Sequence, residues 1–139
     1  MIYFDASVLV SLLVADAHTE KSSAWYSGLS ATVVVSDLAN LEVSAVLSRH
    51  LRVGRLTQGG VESALLDFDA MRANCEWLSH GAADFLLAER MVRDFSTRLA
   101  AADALHLASA KNAGAALATL DARLAEAARA RGVDVAELG

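Results

Sequence analysis

The sequence predicts an α/β domain: a parallel sheet of four to five strands, covered by helices on both faces as a three-layer α/β/α sandwich. Three observations carry that reading. Short apolar or β-branched runs alternate with longer helical stretches along the whole chain, the pattern of repeated βαβ units. Two of those runs are followed at once by an aspartate (Asp5, Asp121) and then by a helix, as at the carboxyl edge of an open parallel sheet. No linker, repeat or low-complexity segment interrupts the 139 residues, so residues 1–139 read as a single domain able to bury a sizeable core.

Taken in order, Ile2 to Phe4 is a short apolar run, read as a buried strand. The apolar stretch that follows Asp5-Ala6-Ser7 is too long for one strand and reads as a helix beginning near Ser7. His18 to Leu29 is a second helix, in which Trp25 and Tyr26 suit a core or interface better than stacking on bases. The β-branched run Thr32 to Val35 is a strand. Ser36-Asp37 caps a helix from Leu38 to about Leu51, and Thr57 caps another that ends near Ala73. Glu76 to Ser79 is a weaker strand, and Ala82 to Ser96 a helix. After a break near Thr97 comes the helix Leu99 to Asn112, whose alanines and leucines look buried nearly all round. Ala115 to Leu120 is a small-residue strand, Ala122 to Ala130 a helix ended by Gly132, and Val133 to Val135 a short last strand.

Composition bounds the function. Hydrophobic residues make up 55% and mean hydropathy is +0.36, which excludes a disordered chain. No apolar run approaches the roughly 20 residues that span a bilayer. The opening Met-Ile-Tyr-Phe-Asp lacks the basic region of a secretory signal, and the single cysteine, Cys75, suits a reducing cytosol. A cytoplasmic protein is therefore expected. A net charge of −5 argues against a nucleic-acid binder that relies on overall basicity. It leaves room for a metal-binding acid cluster beside a local basic patch.

The acids supply the chemistry. Helical spacing puts Leu99, Asp103, Leu107 and Ala110 on one stripe, so a carboxylate sits among apolar residues, where it must be paired, neutralised or bound to a metal. Arg98 is one ordinary partner. Glu42 lies one turn into a helix that starts at a strand end, with an ion pair to Arg49 as its ordinary explanation. Asp5 has a helix N-cap as its ordinary role, and Asp121 precedes a helix. Carboxyl ends of parallel strands share one edge, so Asp5, Glu42, Asp103 and Asp121 are able to converge. Four carboxylates in one cleft repel unless a cation joins them, and an all-oxygen set selects Mg²⁺ or Mn²⁺. Such a site activates water and stabilises charge on a phosphodiester. The one basic cluster, Arg49 to Arg55, suits either the dipole at a helix end or contact with phosphates.

At these segments the sequence resembles the PIN-domain ribonucleases, and within them the VapC-type toxins of bacterial toxin–antitoxin pairs. The resemblance rests on IYFDASVLVSLL, SDLANLEVSAVL, LAAADALHLASA and ATLDARLAEAARARGV, in that order, and covers nearly the whole chain. It implies a PIN-like fold and metal-dependent endonucleolytic cleavage of RNA. It also implies a homodimer and a small antitoxin whose C-terminal segment crosses the active-site groove. Asp5, Glu42, Asp103 and Asp121 fall on the family's acidic metal-site positions, with Ser7 and Thr119 where a hydroxyl often stands near the metal. The family often has Thr or Asn where Ala6 and Ser7 stand. His106 matches a position frequently occupied by His; it reads first as an orienter of Asp103 and second as a substrate contact. Arg49, Arg52, Arg55 and His106 are thus the candidate RNA contacts. Apolar surface for the partners is expected around Val61 to Phe68 and on the Trp25 helix.

Other readings make different demands. A phosphoacceptor module needs a second acid beside Asp5 and a late lysine, whereas Asp5-Ala6-Ser7 lacks that acid and Lys111 is the only lysine after Lys21. A PIN-like scaffold without catalysis tends to lose acids, and here all four positions are filled. A PIN nuclease of RNA processing is separated from a toxin only by the small single-domain size.

Overall fold

The computed structural model describes residues 1–138 and has one sheet of four parallel strands in the order β3-β2-β1-β4. The strands are β1 (Ile2–Phe4), β2 (Val33–Ser36), β3 (Glu76–Leu78) and β4 (Ala116–Ala118). Seven helices connect and cover them: α1 (Ala6–Leu13), α2 (Thr19–Ser27), α3 (Asp37–Arg52), α4 (Gln58–Arg72), α5 (Ala82–Arg93), α6 (Ala101–Ala113) and α7 (Ala122–Ala130). Successive strand side chains point to opposite faces, and the central strand shows it residue by residue. Tyr3 joins a core built from α5, α6 and α7, including Leu105, Leu107 and Leu124. Phe4 joins the opposite core with Val8, Leu9, Val43, Leu47 and Phe68 of α1, α3 and α4. Val34 and Val35 of β2, and Leu117 and Ala118 of β4, divide between the two cores in the same way. The result is the three-layer α/β/α arrangement.

Four local differences from the sequence expectation have physical causes. The expected last strand, Val133 to Val135, makes one parallel bridge, Leu117 to Val135, and does not extend into a strand. Helix α5 stops at Arg93, three residues early, because the Asp94 carboxylate takes the amide (3.3 Å) and hydroxyl (2.7 Å) of Ser96 and turns the chain. Arg98 then adopts a positive φ of 51° before α6 begins at Ala101. Helix α6 is buried from Ala104 to Ala110, but its first turn is open and leaves Asp103 half-buried. It ends on Gly114, whose φ of +66° is the left-handed cap that glycine adopts without a side-chain clash.

The apolar surface also lies elsewhere than expected. Ala64 and Phe68 of α4 are buried, and Trp25 stacks on Phe4 with ring centroids 5.5 Å apart, so both are spent on the core. Leu65 and Leu66 remain exposed there, but the larger exposed set is Phe85, Leu86 and Val92 on α5 with Phe95 just beyond it. Among the described residues no helix is long and apolar enough to cross a membrane.

Candidate active site

Each predicted acid reaches the carboxyl edge of the sheet by a short local rule. Asp5 follows β1 directly and caps α1, its Oδ1 accepting from Val8 N at 3.2 Å. The remaining bonds to Asp5 come from two hydroxyls: Ser7 Oγ donates to Oδ1 at 2.6 Å and Thr119 Oγ1 to Oδ2 at 2.5 Å. Both hydroxyls also accept main-chain bonds from the β4–α7 turn, Ser7 from Leu120 N (2.9 Å) and Thr119 from Asp121 N (3.0 Å). Ser7 and Thr119 therefore orient Asp5 and tie the first acid to the last. Burial pushes the Asp5 carboxyl above its ordinary range, against the pull of these hydroxyls and of His106.

Asp121 follows β4 and caps α7, with Oδ1 accepting from Arg123 N (2.8 Å) and Leu124 N (3.1 Å). Glu42 stands in the second turn of α3, half-buried, and its Oε1 is hydrogen-bonded to His106 Nε2. That histidine displaces Arg49 as the partner of Glu42. His106 Nδ1 meets the Tyr3 hydroxyl at 2.7 Å, and Tyr3 in turn donates to Ser36 Oγ at 2.7 Å, the same oxygen that caps α3 by accepting from Ala39 N. A buried line thus runs from the cap of α3 through the sheet and α6 to the carboxylate of Glu42. Burial of the tyrosine raises its pKa well above the ordinary phenol range.

Two sequence expectations for His106 are corrected by this geometry. It is 2% exposed with both ring nitrogens engaged, so it has no face to offer RNA, and it holds Glu42 and not Asp103. Tyr3 and Ser36 were not among the residues expected at the site. The available signal was a tyrosine inside a buried apolar run, because a buried phenol needs a hydrogen-bond partner.

Asp103 is the acid with the least support. It takes part in no ion pair among the described residues, and Arg98 is not its partner. Its carboxyl is raised first by burial, then by the charge of Asp121, with Glu42 and Asp5 adding to the rise and His106 opposing it. Asp121, Glu42 and Asp5 thus all act on Asp103. Among the described residues no group of three or more His, Cys, Asp or Glu side chains is placed so that it could hold a metal ion in this structure. The donor chemistry still fits a hard cation: oxygen ligands throughout, a central carboxylate whose near charges are mostly acidic, and hydroxyl and imidazole groups behind them that aim the ligands.

The remaining candidates lie apart. Arg49, Arg52 and Arg55 are exposed at the far end of α3, with Arg49 and Arg52 about 10–15 Å along the helix from Glu42 at 1.5 Å per residue.

Comparison with known proteins places this arrangement. The family signature described as PIN domain matches residues 2–130. Ribonuclease VapC45 of Mycobacterium tuberculosis is 34% identical over 139 residues, covering 98% of this chain and 94% of its own. The fold is similar to that of M. tuberculosis VapC20, described as a sarcin-ricin loop cleaving toxin (TM-score 0.72, 19% identity, 91% of this chain and 95% of that one). It is also similar to a chain of a toxin–antitoxin complex from Klebsiella pneumoniae (TM-score 0.64, 13% identity, 87% of each chain). Signature and relative together span almost the entire sequence, and the chain belongs to the PIN-domain family, among its VapC-type members.

Proposed function

We propose that this chain is a Mg²⁺- or Mn²⁺-dependent endoribonuclease, the toxin of a toxin–antitoxin pair. One observation carries the reading: Asp103 is half-buried with no ion-pair partner among the described residues, and burial together with Asp121, Glu42 and Asp5 disfavours its charged form. Such a group is costly for a metal-free fold and useful to a protein that binds a divalent cation. Asp5, Glu42, Asp103 and Asp121 are the proposed ligands; the bound cation would supply an activated water and charge stabilisation at the phosphate. Ser7 and Thr119 hold Asp5 in one rotamer, and Asp121 stays fixed as the cap of α7. His106, backed by Tyr3, fixes the orientation of Glu42.

The proposed partners are RNA, a cognate antitoxin and a second copy of the chain, in the cytoplasm. The VapC45 relative is named a ribonuclease and the Klebsiella neighbour is a toxin–antitoxin complex, which supports the first two. For the dimer the supporting feature is an apolar groove of about 600 Å³ lined by Leu38, Phe85, Ala88, Val92, Ala101 and Leu105. Arg49, Arg52 and Arg55 are proposed to hold outlying phosphates of a longer RNA.

The test is cleavage of labelled RNA by the chain freed of its antitoxin. Cutting is expected with Mg²⁺ or Mn²⁺ and not in excess EDTA, and Asp103→Asn should lower the rate by at least roughly a hundredfold. Full activity in EDTA would end the metal mechanism.

A further inference from the structure

A second concave site, whose wall includes the first turn of α7 that Asp121 caps, contributes nothing to the mechanism above. It is a cavity of about 360 Å³, within the size range of ligand pockets, lined by Ser96, Thr97, Arg98, Arg123, Glu126, Ala127, Ala130 and Arg131. Three arginines line it in a chain of net charge −5. Arg131 is already engaged, donating to Asp94 Oδ2 at 3.1 Å and to the Ala127 carbonyl at 3.4 Å, whereas Arg98 and Arg123 take part in no ion pair among the described residues. Counting Asp94 and Glu126 against the three arginines, the cavity stays positive.

Its position along the chain ties it to the acids. Arg123 is the residue whose amide caps Asp121 Oδ1, and Arg98 stands two residues before Ala100, the N-cap of the helix that carries Asp103. The Arg98 backbone has a positive φ of 51°, an uncommon conformation for a residue other than glycine. A strained residue of this kind persists where the surrounding structure holds it, and such residues cluster at ligand sites.

We infer that the Arg98–Arg123–Arg131 cavity receives a backbone phosphate of the RNA next to the cleaved bond, and so sets which nucleotide reaches the acids. The inference rests on the ribonuclease reading and adds a substrate subsite to it. Guanidinium forks match phosphate oxygens two at a time, which a surface of scattered lysines does not. The exposed cluster at the end of α3 has the same charge but lines no cavity of this kind and lies at the other end of its helix from Glu42.

The experiment uses the full chain carrying Asp103→Asn, with Mg²⁺, and a short fluorescein-labelled single-stranded RNA read by anisotropy across a salt series. Adding Arg98→Gln and Arg123→Gln should weaken binding by roughly tenfold at low salt. The slope of log K against log salt should flatten by about 0.7 for each phosphate that the arginines no longer neutralise. Both side chains lie at the surface, and a melting temperature equal to that of the parent shows that the fold is kept. If the otherwise wild-type enzyme cleaves RNA while the double variant binds with unchanged affinity and slope, the cavity assignment fails and the ribonuclease reading stands. Loss of antitoxin binding with an unchanged RNA slope would give the cavity to the protein partner and overturn the inference. If the wild-type chain cleaves no RNA with either metal, both fall together.

Discussion

Asp103 and Asp5 are both held above the ordinary carboxyl range, chiefly by burial, and for Asp103 also by three neighbouring acids. The linkage has a definite sign. A carboxyl whose folded pKa is raised contributes stability that is fully present below the unfolded pKa of about 3.9 and is lost as pH rises through the folded value. The metal-free protein should therefore lose stability from about pH 4 upward. Asp103→Asn removes one titrating member at nearly constant shape. In EDTA, the melting temperature of the variant minus that of wild type should grow as pH rises from 4 to 7. A difference that stays constant with pH would mean that Asp103 carries no electrostatic penalty. The network around Glu42 was not readable at this scale. Tyr3, Ser36, His106 and Glu42 meet across separations of 33, 103 and 64 residues, and no local pattern encodes such contacts.

Helix α5 shows what an element adds beyond its residues. Its inner side locks to α6 through Asp84, which bonds both Gly81 N (2.9 Å) and Asn112 Nδ2 (2.8 Å). Its outer side presents Phe85, Leu86 and Val92. Phe85 and Val92 are seven residues apart, on one stripe that lines the groove ending at Ala101 and Ala102, immediately before Asp103. A second copy seated there would lie next to the acid edge. Phe85→Asp should weaken the proposed dimer by at least roughly 2 kcal/mol, the scale of an interface anchor. Light scattering at micromolar concentration should then change from dimer to monomer, whereas an unaltered dimer would move the interface to another face. The sequence located α5 but not its exposed apolar side, because periodicity tells which residues share a stripe and not which stripe the sheet covers. Val61 to Phe68 had the same periodicity, and there Ala64 and Phe68 enter the core around Phe4 while Leu65 and Leu66 stay exposed. Strands suffered a similar limit: the run at Val133 has β-branched residues on both sides of Asp134, yet makes one bridge.

On α3 the acid and the basic groups occupy opposite ends, whereas on α7 Asp121 and Arg123 stand together at the start. Two of the acids are placed by short local rules: Asp5 stands directly after β1 and Asp121 three residues after β4, each capping the helix that follows. Parallel topology then puts them on one edge with the first turns of α3 and α6. The three arginines at the end of α3 sit at the opposite end of that helix, so their charge acts at a distance. Replacing Arg49, Arg52 and Arg55 by Ala should weaken binding of a long RNA and flatten its salt dependence, yet leave a short oligonucleotide nearly unaffected. An equal loss for both lengths would place these arginines at the cleavage site instead. Thermal melts of wild type and Asp103→Asn at neutral pH, each in EDTA and in Mg²⁺, separate a divalent-cation site at the four acids from a structural ion-pair network. With a cation site, the variant melts higher than wild type in EDTA and loses most of the gain from Mg²⁺. A variant that is less stable in EDTA yet gains as much from Mg²⁺ as wild type would contradict it.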